Sequence, residues 1–265
     1  MEIAKGVYSM GNWKGGRVRA FLLDDGHELT LVDTLFETDA RLILDQIKQI
    51  GRRLEDLKRI VLTHCHRSHL GGLLTLKRMT GVPIFAHEWE ADLVAGNRRP
   101  QTPPFRIIRP FRTLPLLAGL ALGLDKHPGC PVDNYLQDGE QVGPLVVVRT
   151  PGHTPGHLSF FWPERKLMIA GDIVSTWPRL EPGWKGFMLN LPQHRDSVRR
   201  MCGFRPEVLA VGHGDPAMGV HEDSLGQLVE AADKWVRKAP QPQSQPVTAR
   251  TIGSQPRKRQ TAHTD

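Results

Sequence analysis

Three histidines within six residues, placed directly after an apolar run, constrain this chain more than any other feature. Residues 60–62 are typical of the end of a buried strand and residues 70–79 of a helix, so the histidines lie on the turn between them. Side chains two positions apart in an extended segment share one side. His64 and His66 therefore converge, and His69 lies at the start of the helix. Neutral imidazoles are common metal ligands, and clusters of them suit zinc or iron better than calcium or magnesium.

The composition is that of an ordinary folded domain. The chain has 265 residues, 39% hydrophobic and 24% charged, which is enough to bury a full core. Residues 1–8 lack the pattern of a secretory signal, and the longest apolar run, 114–124, is interrupted by Pro115 and too short to cross a bilayer. The three cysteines do not indicate a disulfide framework. We expect a cytoplasmic protein with no membrane span.

The net charge of +7 does not by itself indicate nucleic-acid binding. Part of the excess lies in residues 239–265, which are rich in Pro, Gln, Ser and Thr and poor in apolar residues. Such a tail cannot repay its ordering entropy, so we predict that 239–265 is disordered. The remaining charge forms no basic stripe, and we expect no specific nucleic-acid partner.

The rest of the chain alternates strands and helices. The turn Asp24-Asp25-Gly26 between the apolar runs 17–23 and 29–32 predicts a hairpin, and a helix is predicted over 39–50. The later predicted strands are 84–86, 145–149, 158–162, 166–170 and 208–211, and the later helices are 88–95, 192–202 and 221–238. Because no linker divides these elements, we predict one domain over 1–238.

Residues 97–137 interrupt this rhythm. Seven prolines exclude one continuous element there, and the apolar stretch 114–122 argues against disorder. We predict an apolar, Pro-rich insert that folds over the active site. A homodimer contact or a membrane-surface patch is the alternative use of this segment.

Three later loops each place a metal-capable side chain after a strand. Residues 150–157, Thr-Pro-Gly-His-Thr-Pro-Gly-His, present His153 on a tight turn. Ala170-Gly171-Asp172 is predicted to place a carboxylate at the end of a strand. Residues 211–215 are predicted to place the imidazole of His213 at the end of another strand. Because functional sites are usually built on such loops, the four loops together predict one shared metal site.

In this order the motifs resemble those of the metallo-β-lactamase superfamily, over residues 1–238. The resemblance implies an α/β (α+β) fold, a four-layer αββα sandwich with the metal site at one edge of the sheets. It implies two metal positions that share a carboxylate: His64, His66 and His153 for the first, His69 and His213 for the second, and Asp172 for both. His157 is not a ligand position in the family. Asp33 matches a Val-Asp-Thr loop beside the metals, where it either orients a ligand or closes its own turn.

Ser68 departs from the family pattern. The family normally has Asp immediately before the third histidine of the first motif, and a neutral hydroxyl is a weaker ligand than a carboxylate. Either the second cation binds weakly or is lost, or it stays and acidifies its water further. We expect the first outcome, with Ser68 beside the ligands and one or two Zn²⁺ per chain, iron being the alternative metal.

The reaction that fits such a site is hydrolysis of an ester, thioester or lactone, because a bound zinc activates water and polarises a carbonyl. The histidine-rich turn resembles glyoxalase II and related thioesterases and lactonases, but we expect no separate glutathione-binding domain. Asp172 and His213 are the predicted catalytic residues. The alternatives are a non-catalytic binding protein with a degenerate metal site and a mononuclear iron enzyme similar to persulfide dioxygenases.

The loop after Asp172 supplies the predicted substrate pocket. Trp177, Trp184 and Phe187 are expected to line it, and Arg179 or Lys185 to hold an anionic group. Together with the apolar insert, these residues indicate a small-molecule substrate with an apolar part.

Overall fold

Two β-sheets form the centre of the computed structural model, which describes residues 1–99, 101 and 127–237. The seven strands of the first sheet lie in chain order: β1 (Glu2–Ala4), β2 (Val7–Gly11), β3 (Arg19–Asp24), β4 (Leu29–Val32), β5 (Leu57–Val61), β6 (Ile84–Ala86) and β7 (Asn134–Tyr135). The pairs from β1 to β4 are antiparallel and those from β4 to β7 are parallel. From β4 onward each connection is longer and contains a helix of seven or more residues, as the crossover between parallel strands needs.

The second sheet has the order β13-β12-β11-β10-β9-β8. Its strands are β8 (Gln141–Val142), β9 (Leu145–Arg149), β10 (Leu158–Trp162), β11 (Leu167–Ser175), β12 (Val208–His213) and β13 (Ala217–Met218). Only the β11–β12 pair is parallel. The connection between these two strands contains a long helix, as a parallel crossover requires.

Helices cover the outer faces of both sheets. They are α2 (Arg41–Gln49), α3 (Leu73–Thr80), α4 (Glu88–Val94), α5 (Leu191–Gly203) and α6 (Glu222–Arg237), while the short α1 (Lys14–Arg17) lies beside His213. Ile43 of α2 and Leu76 of α3 pack on the first sheet, and Met201 of α5 packs on the second. Between the sheets, Phe21 of β3 and Phe160 of β10 are fully buried in one cluster. Each such side chain contributes about 1.5–3 kcal/mol through apolar burial, and the predicted αββα sandwich is confirmed.

Most predicted elements are present with small shifts in their ends. The hairpin of β3 and β4 is confirmed, while α2 begins two residues later than predicted because Ala40 has a left-handed φ of 54°. The insert predicted over 97–137 falls largely outside the described residues, and its described part includes strand β7. The tail predicted over 239–265 lies wholly outside them. Within the described chain, no helix has the length and apolar character needed to span a bilayer.

The position of Asp172 corrects the prediction that it ends a strand. Strand β11 continues through Asp172 to Ser175, and its register with β12 shifts on both sides of Gly171. Gly171 has a φ of +56°, and a Cβ atom there would lie 2.5 Å from Nε2 of His157. A glycine is therefore required at this irregularity, which turns a mid-strand carboxylate toward the neighbouring loops.

Candidate metal centre

Loops and strand ends bring the predicted ligands together. His64 and His66 follow β5, His69 ends a short 3-10 turn, His153 lies between β9 and β10, and His213 ends β12. All of these histidines except His66 are buried. The ring nitrogens and the Asp172 carboxylate form two groups, within each of which the potential ligand atoms lie within 4.8 Å of one another.

The first group consists of His64, His66, His153 and Asp172. Nδ1 of His66 lies 2.9 Å from Nε2 of His64 and 2.9 Å from Nε2 of His153. Oδ2 of Asp172 lies 3.6 Å from the first of these Nε2 atoms and 3.4 Å from the second. Three ring nitrogens and one anionic oxygen thus converge on a small volume.

The second group consists of His69, Asp172 and His213. Nε2 of His69 lies 3.4 Å from Oδ1 of Asp172, and Nε2 of His213 lies 3.3 Å from Oδ2. The two oxygens of one carboxylate therefore face both groups. Ser68, half-buried in the 3-10 turn, belongs to neither.

Asp33 and Thr63 fix the tautomers of two histidines. Asp33 accepts hydrogen bonds from the Thr63 amide (2.9 Å) and the Thr63 hydroxyl (2.7 Å), and its Oδ2 lies 3.0 Å from Nδ1 of His69. Since the Thr63 hydroxyl donates to Asp33, it accepts from Nδ1 of His64, 3.0 Å away. In its neutral form, each of these histidines then carries the proton on Nδ1 and directs an Nε2 lone pair into the site.

His213 and Asp172 are also oriented by hydrogen bonds with residues that belong to neither group. A carbonyl oxygen only accepts, so Nδ1 of His213 donates to Gly16 O at 2.8 Å and leaves Nε2 facing the carboxylate. The Asp172 amide donates to Nε2 of His157 at 3.1 Å, while Nδ1 of His157 lies 2.9 Å from the Thr150 hydroxyl. His157 thus orients the backbone of Asp172 and offers no nitrogen to either group.

The buried charges determine the proton content of the site. Burial raises the pKa of Asp172, but His213, His69 and His64 outweigh it and hold this pKa well below its usual value. Burial lowers the pKa of His69, yet the carboxylates of Asp172 and Asp33 raise it to about 10. Burial, reinforced by neighbouring histidines, lowers the pKa values of His64 and His153. A metal bound at the second group would therefore have to displace a proton from His69.

The donor set fits a transition metal. Nε2 of His69 and Oδ1 of Asp172 are buried and have no hydrogen-bond partner in the described chain, although a buried polar atom without a partner costs about 1–3 kcal/mol. A cation that accepts electron pairs from both atoms removes this cost. Imidazole nitrogens with a single carboxylate suit zinc or iron, whereas calcium and magnesium prefer oxygen ligands.

A small, partly open cavity with a mainly apolar wall lies beside the site. Its wall includes His153, Asp172, Val174, Ser175, Gly183, Trp184, Phe187, Met188 and His213. Of the predicted pocket residues, Trp184 and Phe187 line this cavity, whereas Trp177 and Arg179 do not. Trp177 instead packs edge-on against Trp184, with ring centroids 5.8 Å apart, and Arg179 pairs with Glu181.

Lys185, the other predicted anion contact, donates to Trp235 O at 3.3 Å. Among the described residues, the cavity wall therefore contains no lysine or arginine. This arrangement favours a neutral apolar group over an anionic one at this position.

Several supporting residues have no distinctive sequence signal. Thr63 and Gly16 act through a hydroxyl and a backbone carbonyl, and any residue type can supply the latter. Glu90 is also buried beside the site and was not predicted. Its signal is a charged residue on the buried face of α4, beside Ala91 and Leu93.

The chain belongs to the metallo-β-lactamase superfamily, whose sequence profile matches residues 13–213. The Bacillus subtilis (strain 168) protein named "Probable metallo-hydrolase YflN" is 27% identical over 253 residues, or 88% of this chain and 92% of that protein. Haemophilus influenzae hydroxyacylglutathione hydrolase GloC is 25% identical over 58% of this chain and 65% of its own length.

The architecture is also similar to that of solved structures. The metallo-beta-lactamase family protein TTHA1429 from Thermus thermophilus superposes with a TM-score of 0.61 and 24% identity, covering 88% of this chain and 81% of that chain. This likeness supports the fold, while the family profile and the curated relatives place the chain among metallo-hydrolases.

Proposed function

We propose that this protein is a metal-dependent hydrolase that cleaves an ester, thioester or lactone bond. The observation that carries the proposal is the position of Asp172, which lies between two histidine groups and in the wall of the apolar cavity. His64, His66, His153 and Asp172 would hold one cation, and His69, Asp172 and His213 a second. When bound, zinc or iron would supply Lewis acidity and lower the pKa of a water molecule.

The residues around the site prepare it for that chemistry. Asp33 and Thr63 hold the lone pairs of His69 and His64 toward the carboxylate, so little reorganisation is needed on binding. Trp184 and Met188 form an apolar part of the cavity wall. His213 and Asp172 lie both at the ligand groups and in the cavity wall, where they would meet a substrate, and we propose them as the catalytic residues.

The substrate class is inferred from the cavity. Its wall contains the Asp172 carboxylate and, among the described residues, no lysine or arginine, which suits a small molecule with a neutral apolar acyl group better than an anionic one. The name of the similar GloC protein, a hydroxyacylglutathione hydrolase, supports a thioester as one member of this class. We propose no nucleic-acid partner.

The test is turnover of a panel of chromogenic esters, thioesters and lactones by protein whose metal content is measured in parallel. We expect hydrolysis of at least one substrate with an apolar acyl group, lost on chelation and restored by Zn²⁺ or Fe²⁺. Metal-loaded protein that turns over no member of the panel would contradict the proposed activity.

Ser68 favours a second candidate, a non-catalytic member that binds a ligand at an impaired site. The described second group has one carboxylate, which it shares with the first, and so compensates a second cation poorly. Metal-loaded wild-type protein that binds an apolar ester without cleaving it would support this candidate over hydrolysis.

A further inference from the structure

Glu90 connects two loops that come from different sheets. Its side chain is 1% exposed, and its carboxylate accepts three hydrogen bonds. Oε2 accepts from the Cys65 amide at 3.1 Å, while Oε1 accepts from the Thr154 hydroxyl at 2.6 Å and from the Gly156 amide at 3.0 Å. Gly156 fits this contact closely, because a Cβ atom there would lie 2.7 Å from Oε1.

These three donors flank the proposed ligands of the first metal position. Cys65 lies between His64 and His66 in the loop after β5, and Thr154 directly follows His153 in the loop between β9 and β10. One carboxylate therefore sets the separation of the two loops that supply all three histidines of this group. All three hydrogen bonds are buried and 3.1 Å or shorter, so together they connect the two loops directly.

The second position is supported by different residues. His69 is oriented by Asp33 and His213 by Gly16, and neither contact involves Glu90. We propose that Glu90 is a positioning residue that selectively maintains the first metal position by holding these two loops together. This inference rests on the proposed metal centre, because a loop contact matters to affinity only if the histidines bind a cation.

The test compares Glu90→Gln with Glu88→Gln, a matched change on an exposed residue of the same helix. Glutamine retains the size of the side chain but replaces one accepting oxygen with a donor, which conflicts with an N–H group of one loop. The readout is the Kd of each zinc equivalent, measured by competition with a chromophoric chelator. We expect Glu90→Gln to weaken the tighter equivalent about 10- to 100-fold and Glu88→Gln to leave it unchanged.

Thr154→Val keeps the test available if Glu90→Gln does not fold. It removes one of the three donors and conserves shape, so we expect a smaller loss, about fivefold, in the same equivalent. Wild-type zinc affinity in a folded Glu90 or Thr154 variant would overturn this inference and leave the proposed function intact. Wild-type protein that binds no zinc would overturn both, and zinc binding that depends on Glu90 without turnover would support this inference alone.

Discussion

Nε2 of His69 and Oδ1 of Asp172 face each other at 3.4 Å, both buried and both without a hydrogen-bond partner in the described chain. A hydrogen-bond contact with Asp33 orients the His69 ring, and a hydrogen bond to His157 orients the Asp172 backbone. Two such atoms fixed in mutual proximity favour a cation or, in its place, a proton on His69, whose pKa the carboxylates of Asp172 and Asp33 raise to about 10. Which of the two occupies the second group therefore depends on the pH and on the metal concentration of the solution.

Restoring a carboxylate next to this pair should strengthen the second position. Ser68→Asp is expected to lower the Kd of the second zinc equivalent about tenfold or more, because it adds one negative charge beside the ligands. Ser68→Asn is the matched neutral control and should change little. Competition titration measures both variants, and an unchanged second equivalent in Ser68→Asp would contradict our interpretation of this position.

Removing the Asp33 carboxylate, which contacts Nδ1 of His69, should weaken metal binding at the second position. In Asp33→Asn, the ring loses its carboxylate partner, and we expect the Kd of the second zinc equivalent to rise about 10- to 100-fold. Asp45→Asn, on the exposed face of α2, serves as the control. A smaller loss in the first equivalent is also expected, because Asp33 accepts from the Thr63 hydroxyl that orients His64. Equal losses of both equivalents, with a lower Tm, would indicate general destabilisation instead.

The stability of the metal-free protein at different pH values tests the burial of His194. Burial lowers the pKa of His194 from its ordinary value of 6.5 to about 4. Between these values the unfolded chain binds a proton that the folded chain does not, so the free energy of unfolding falls as the pH decreases from 6.5 and levels off below 4. The full loss from this one group is about 3 kcal/mol.

His194→Gln isolates this contribution, since glutamine can still donate to Pro182 O but does not titrate. Burial lowers the pKa values of His66 and His157 as well, so the slope should decrease in the variant without vanishing. Urea unfolding in the presence of a chelator, from pH 4 to 7, measures the slope. His221→Gln, at an exposed position, is the control, and parallel curves for wild type and His194→Gln would contradict the assignment.

The apolar wall of the cavity should control substrate preference. Trp184→Ala removes a large ring from that wall, and we expect KM for a substrate with a long apolar acyl chain to rise about tenfold. KM for an acetyl substrate should change much less, because its acyl group makes few contacts with the ring. Tyr135→Ala, exposed on β7, is the control, and equal effects on both substrates would argue against a role in acyl binding.

The sequence predicts much of this site because its ligands lie in short local patterns. His64, His66 and His69 lie within six residues, and the remaining ligands lie next to glycine-containing turns or bulges after apolar runs. Strands β9 and β10 match their predicted ends, since each is a clear apolar run. Local sequence and local structure agree at these places.

Contacts between distant segments could not be predicted in the same way. Glu90 and Thr154 are 64 residues apart, and nothing near either residue indicates the other. The irregularity at Gly171 depends on pairing with β12, and the two-residue strands β7 and β8 have too few side chains for a periodic signal.

Metal content per chain tests the account most directly. Elemental analysis of wild type and Asp172→Asn, purified without added metal and then equilibrated with Zn²⁺, compares proteins that differ by one buried charge shared by both groups. We expect the wild type to retain at least about one zinc after dialysis and Asp172→Asn to lose most of it while remaining folded. A wild type that retains no zinc or iron, or an Asp172→Asn variant that retains as much as the wild type, would contradict a metal centre built on Asp172.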